Sequence, residues 1–79
     1  MVREEVWIDE AGEVGRYNLA FINHFMTRVD NGRVLGYDNA HGKPHRHFYG
    51  VVEIVEPQGY ETLLEGFLEE VAVLRQETR

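Results

Sequence analysis

The last segment of the chain repeats apolar residues at helical spacing. The repeat consists of Tyr60, Leu63, Leu64, Phe67, Leu68, Val71 and Leu74. Residues three or four apart lie on the same side of an α-helix, so these side chains form one apolar stripe while the intervening glutamates face water. Gly59 is an acceptable N-cap residue. The pattern predicts one C-terminal amphipathic helix with its stripe in the core.

The part of the chain before this helix shows the alternation that is typical of β-strands. Residues 2–8 (VREEVWI) predict a short edge strand. Residues 16–29 place apolar side chains on both sides of a predicted long strand. Residues 45–55 predict a further strand, which the Glu56-Pro57 pair ends. These segments favour an antiparallel sheet.

The clearest turn signal is Asp-Asn-Gly-Arg at residues 30–33, because Asn31 and Gly32 accept the positive φ angles of a two-residue type I′ turn. Such a turn sets a register in which His24 lies opposite Asn39. The predicted fold class is therefore α+β. It is a small antiparallel sheet of three to four strands, with a hairpin turn at Asn31-Gly32, packed by one C-terminal amphipathic helix.

Length and composition limit the possible settings. A chain of 79 residues predicts a single domain over residues 1–79. It has no cysteine, so disulfides and thiolate metal ligands are excluded and a cytoplasmic location is expected. No apolar run approaches the roughly 18 residues of a membrane helix, and the first residues lack the features of a signal peptide. We expect no membrane association.

The charge distribution changes this picture locally. A net charge of -6 argues against broad affinity for nucleic acid. The acidic residues are concentrated near the two ends, however, and between residues 28 and 47 four arginine or lysine side chains stand against two aspartates. This middle segment is a candidate site for an anion.

The densest polar cluster lies in the same segment, at residues 37–47 (YDNAHGKPHRH). In a strand His45 and His47 share a face, and Arg46 points the opposite way. Imidazole transfers protons near neutral pH, and Lys43 and Arg46 carry charge that can stabilise a phosphate. The residue types suit general acid/base work on a phosphodiester, as in a metal-independent ribonuclease.

Two other interpretations of the cluster stay open. His-x-His with a nearby histidine or aspartate supplies three ligands for a transition metal. Alternatively, the histidines are solvated on an exposed strand and loop, and Asp38 and Asn39 shape a turn. His24 lies among apolar neighbours and is expected to be a hydrogen-bonded interior histidine.

The strings RYNLAF, from residue 16, and VLGYDNAHGKPHRHFYG, from residue 34, resemble the TumE-like toxin proteins of prokaryotic toxin-antitoxin pairs. The resemblance extends over residues 16–74 and includes the Leu-Leu-x-x-Phe pattern at residues 63–67. It implies a toxin-like role. The residues that fall on the family's signature are Asp38, Asn39, His41, Lys43, His45, Arg46 and His47.

We therefore expect a toxin-like component of a toxin-antitoxin pair that acts on RNA. The candidate catalytic residues are His41, His45, His47 and Asp38, and the candidate substrate-binding residues are Lys43, Arg46, Asn39 and Tyr37. No metal ligand and no cofactor is assigned. The expected partners are a small helix-turn-helix antitoxin, RNA and further copies of the chain in a homo-oligomer. The rival hypotheses are a non-catalytic interaction module and a small histidine-based metal-binding protein.

Overall fold

The computed structural model describes residues 1–77 and has the predicted α+β class. The elements in chain order are β1 (Val2–Ile8), β2 (Val14–Ile22), β3 (Arg33–Asp38), β4 (His45–Phe48), β5 (Val51–Ile54) and α1 (Tyr60–Glu77). Each strand pairs antiparallel with the next, so the spatial order β1-β2-β3-β4-β5 follows the chain. Within residues 1–77, no helix combines the length and apolar character needed to cross a lipid bilayer.

The core lies between α1 and one face of the sheet. Its buried members are Tyr17, Leu19, Phe21, Val34, Leu35, Tyr37, Leu63, Phe67, Val71 and Leu74. Leu19 pairs with Tyr37 and Phe21 with Leu35, so side chains two apart on each strand reach the helix together. The opposite face of the sheet carries no covering element among residues 1–77. We call it the open face.

The predicted helix is confirmed. Tyr60 is its first residue, and the Leu63 N–H donates to the Gly59 carbonyl at 3.0 Å. The Tyr60 hydroxyl donates to Glu4 Oε2 on β1 at 2.6 Å. Burial, and then this hydrogen bond to Glu4, raise the pKa of Tyr60. One member of the predicted stripe, Leu68, is instead 47% exposed.

The predicted edge strand at residues 2–8 is confirmed as β1, but the long strand over residues 16–29 is wrong because β2 ends at Ile22. Asn23 Oδ1 accepts hydrogen bonds from the N–H groups of Phe25 (2.9 Å) and Met26 (3.3 Å). A side chain that bonds to its own following backbone competes with the strand ladder. The chain therefore leaves the sheet and returns at Arg33.

The turn at Asn31-Gly32 forms where predicted, within a short 3₁₀ turn at Val29–Gly32. Asn31 and Gly32 have φ angles of 56° and 87°, and the Arg33 N–H donates to the Asp30 carbonyl. The register inferred from the turn is wrong, because a strand does not enter it directly. Ile22 pairs with Arg33, so His24 does not lie opposite Asn39.

The single strand expected at residues 45–55 is two strands, β4 and β5. Tyr49 and Gly50 have φ angles of 48° and 83°, which reverse the chain between them. This additional hairpin gives five strands, where three to four were expected. Asp38 and Asn39 are followed by a 3₁₀ turn at Ala40–Gly42.

Replacing Asn31 with proline should strongly destabilise the protein. Proline requires a φ near −65°, whereas Asn31 has a φ of 56°. We expect a loss of about 3 kcal/mol or more in the free energy of unfolding, measured by urea denaturation. Asn31→Gly is the control, since glycine accepts positive φ and should change stability by less than about 1 kcal/mol. Equal stability of the two variants would contradict the turn.

Replacing Phe67 with alanine should remove a central part of the core. Phe67 is 1% exposed and its ring meets Tyr37 edge-on, with ring centroids 6.2 Å apart. We expect a cost of about 3–5 kcal/mol in urea denaturation. Leu68→Ala, at the half-exposed neighbouring position, should cost clearly less. If Leu68→Ala lowered the free energy of unfolding more than Phe67→Ala, a different face of α1 would pack on the sheet, which would contradict this structure.

Candidate active site on the open face

The open face carries a shallow pocket of about 390 Å³. Its polar and aromatic lining includes Trp7, Arg16, Asn18, Arg33, Asp38, His41, His45 and His47. These residues come from β1, β2, β3, β4 and the turn after β3, so the pocket depends on the sheet as a whole. All three candidate histidines and Asp38 are thus brought together.

The strand register explains how these side chains meet. Asn18 pairs with Asp38, and Asp38 pairs with His45. Directly paired residues point to the same face of a sheet, so the three side chains form one row across β2, β3 and β4. His47 lies two residues beyond His45 and shares its face, as the sequence predicts.

His47 is held from both sides of its ring. Its Nε2 lies 2.6 Å from Asp38 Oδ2, and its Nδ1 lies 3.0 Å from Arg33 Nη2. A guanidinium has only hydrogen-bond donors, so Nδ1 must accept and Nε2 must carry the hydrogen that it donates to Asp38. The geometry therefore describes a neutral imidazole in one defined tautomer. His47 orients its neighbours and has no nitrogen left for a substrate proton.

Arg33 reaches His47 because of a bulge. Strict alternation along β3 would place Arg33 on the helix side with Leu35, but the pairing of β2 with β3 shifts by one residue between Phe21 and Ile22. A bulge re-aims side chains in this way. The Arg33 side chain crosses Gly36, where an added Cβ would lie only 2.8 Å from Arg33 Cδ. Its Nε also donates to Asp30 Oδ2 at 2.7 Å.

His41 and His45 differ from His47 because no hydrogen bond involves either imidazole within residues 1–77. His41 is exposed in the 3₁₀ turn, with a φ of 67°, and His45 is half-buried on β4. Both line the pocket. Among the histidines of the pocket, these are the two whose ring nitrogens remain available for proton transfer to a ligand.

Trp7 and Arg16 form the wall of the pocket at β1 and β2. They are paired residues, and the Arg16 guanidinium carbon lies 5.0 Å from the centroid of the Trp7 ring. This is cation–π geometry. Trp7 remains 47% exposed, and Arg16 forms no ion pair in the described part of the chain. The wall thus offers an aromatic surface beside a positive charge.

Two candidate substrate-binding residues, Tyr37 and Arg46, lie on the helix side of the sheet. Arg46 donates to the Tyr37 hydroxyl at 3.0 Å and to Glu70 Oε2 at 2.6 Å, and Tyr37 also donates to Glu70. Burial, and then the hydrogen bond to Glu70, raise the pKa of Tyr37. The sheet itself separates this network from the histidines, so the two residues attach α1 to the sheet.

The remaining candidates and His24 also lie apart from the pocket floor. Asn39 Oδ1 accepts from the Tyr17 N–H at 2.9 Å and Asn39 Nδ2 donates to the Gly15 carbonyl, so its amide ties the turn to β2. Lys43 is exposed at the end of that turn. His24, expected in the interior, is exposed and packs against Gly32.

The metal hypothesis gains no geometric support. Within residues 1–77, no three histidine, aspartate or glutamate side chains converge in an arrangement that could hold a metal ion. His47 already uses both ring nitrogens, which removes one member of the His-x-His pair.

The sequence did not predict the roles of Trp7, Arg16, Asn18 and Arg33. Trp7, Arg16 and Asn18 are distant from residues 37–47 along the chain and join them through strand pairing. Arg33 is close in sequence but reaches the open face only because of the bulge. The available signal was alternation: Arg16 and Asn18 follow the same period as the polar side of β2, and Trp7 is the only tryptophan in the chain.

In comparisons with known proteins, no protein-family model, no curated protein and no solved structure matches the chain. The site is therefore interpreted from its own geometry.

Removing the Asp38 carboxylate should release His47. In the wild type we expect an imidazole Nε2–H of His47 that exchanges slowly with water, because it is half-buried and donates to Asp38. Proton NMR of the wild type and of Asp38→Ala checks this. In the variant the signal should disappear and unfolding should become easier by about 1.5–3 kcal/mol, the typical value for a hydrogen bond to a charged group. His41, exposed and unpartnered, is the internal control. A His47 proton that exchanges as fast as that of His41 would contradict the network.

Proposed function

We propose that the chain is a cytoplasmic, toxin-like component of a toxin-antitoxin pair that cleaves RNA without a metal ion. The observation that carries the proposal is the set of three imidazoles in one pocket. His47 is fixed between Asp38 and Arg33, and His41 and His45 have free ring nitrogens beside it. The residue types and the location suit phosphodiester chemistry by general acid/base catalysis.

RNA supplies its own nucleophile, the ribose 2′-hydroxyl. In the proposed step, one of the imidazoles of His41 and His45 takes the 2′-hydroxyl proton while the oxygen forms a bond to phosphorus. The bond from phosphorus to the 5′-oxygen breaks, and the other imidazole, in its protonated form, donates a proton to that oxygen. The products are a 2′,3′-cyclic phosphate and a free 5′-hydroxyl, and no oxidant or metal is required.

Charge in the pocket supports the binding of a phosphodiester. Arg16 has no carboxylate partner in residues 1–77, and Arg33 places a second guanidinium beside His47. The acidic side chains of α1 lie on the other side of the sheet. Although the chain has a net charge of -6, the guanidinium groups of Arg16 and Arg33 line the pocket on the open face, which favours the approach of RNA from that side.

The toxin-like role rests on the resemblance of residues 16–74 to TumE-like proteins. It implies that a small helix-turn-helix antitoxin binds the chain and neutralises it. An antitoxin that binds the open face would neutralise the chain by covering the pocket, since no element among residues 1–77 covers that face.

The second candidate function is a non-catalytic interaction module that forms a homo-oligomer. It is favoured by β5, the outer strand beside β4, where Val51, Val52 and Ile54 are 68%, 53% and 64% exposed. An exposed apolar edge strand is a template for pairing with another strand. The two functions differ in whether the histidines matter.

The decisive experiment compares His45→Ala and His41→Ala with the wild type in RNA cleavage and in growth after expression without a partner. Loss of an acid or base should lower the cleavage rate by roughly 10²- to 10⁴-fold, whereas circular dichroism should show the same fold. Arg28→Ala is the matched surface control, since Arg28 is exposed on the loop after β2 and lies outside the pocket. If both histidine variants fold and cleave RNA as fast as the wild type, or if the wild type does not cleave RNA, the interaction module is the better conclusion.

A further inference from the structure

The pocket contains a feature that proton transfer does not need, the half-exposed indole of Trp7. It lies on β1, three strands away from β4 and His45. Neighbouring strands are about 4.8 Å apart, so the backbones of Trp7 and His45 are about 14 Å apart across the sheet. A ligand made of several nucleotides can contact both ends of the pocket.

A second observation concerns Asn18 on β2, which lies between Trp7 and His45 on the open face. Asn18 Nδ2 donates to Glu5 Oε1 at 3.2 Å, but Asn18 Oδ1 is buried and accepts no hydrogen bond. A buried unsatisfied acceptor is costly, and its cost is removed by a ligand that brings a donor. Phosphate groups supply only acceptors at neutral pH. Ribose hydroxyls and the N–H groups of bases supply donors.

We propose that the open face selects unpaired RNA, with a base that flanks the cleaved phosphodiester stacked on the exposed surface of Trp7 that Arg16 does not cover. Arg16 contacts the phosphate next to that base, and Asn18 Oδ1 accepts a hydrogen bond from the sugar or base. This inference rests on the proposed RNA-directed function, and it adds the substrate class and the residue that selects it.

Stacking explains why the RNA must be single-stranded. Any base has a flat face that packs on an indole, so the contact tolerates sequence. In a duplex those faces are already stacked on neighbouring base pairs. Cations alone would attract single-stranded and double-stranded RNA alike, because both carry phosphates. The aromatic wall is therefore the part of the pocket that distinguishes the two forms.

Trp7 is the only tryptophan in the chain, so its fluorescence reports the contact directly. The probe is a short 2′-O-methyl RNA, which keeps the phosphates, the bases and their N–H donors but lacks the 2′-hydroxyl needed for cleavage. We expect this single strand to quench the fluorescence of the full chain. The same strand annealed to its complement, and inorganic polyphosphate as an anion without bases, should leave the fluorescence nearly unchanged.

Binding of the labelled single strand, followed by fluorescence anisotropy, tests the role of the side chain. Trp7→Ala should weaken binding by about 5-fold or more, whereas Trp7→Phe should retain most of it. Phe25→Ala is the matched control, because Phe25 is a fully exposed aromatic residue on the loop after β2. Circular dichroism should show that all three variants fold.

The outcomes separate this inference from the proposed function. Equal binding of duplex and single strand, unchanged affinity of Trp7→Ala, or no binding at all overturns the inference. Cleavage that depends on His45 but not on Trp7 leaves the proposed function in place while the inference fails. Selective quenching by the single strand, without cleavage of unmodified RNA, supports the stacking site and removes the ribonuclease activity.

Discussion

One helix packs on a five-stranded sheet, and it shields one face only. Side chains along each strand alternate between the helix side and the open face, so each strand divides its residues between a dry and a wet environment. On β2, Leu19 and Phe21 take the dry side and are almost completely buried. Asn18 takes the other. Because burial of apolar side chains fixes this division, it also determines which polar groups can gather on the open face.

Much of the fold followed from local patterns. The apolar period of α1 is regular over four turns, and the turn at Asn31-Gly32 needs residues that accept positive φ. The predicted strands at residues 16–29 and 45–55 were too long for local reasons, which the spacing of apolar residues does not reveal. The Asn23 side chain ends β2 by bonding to the following backbone, and Tyr49 adopts a positive φ although it is not a typical turn residue.

The site was predictable to the extent that it is local. His45 and His47 share a strand face, and Asp38 lies on the strand beside them, so sequence proximity was enough to bring them into one hypothesis. Arg33 joins them through a bulge, and Trp7 joins them across three strand pairings. Neither the bulge nor these strand pairings can be recognised from a short stretch of sequence. A motif can therefore predict the chemistry of this pocket without predicting its walls.

Adjacent residues of β4 belong to two different polar networks. Arg46 binds Glu70 on the helix side, and His47 binds Asp38 on the open face. A slip of β4 by one residue would exchange the two side chains between the faces. Glu70 would then lose Arg46 and Asp38 would lose His47, both at half-buried positions, which is costly. The two networks thus select one strand register. A β4 of only four residues is held in that register by polar contacts on both of its faces.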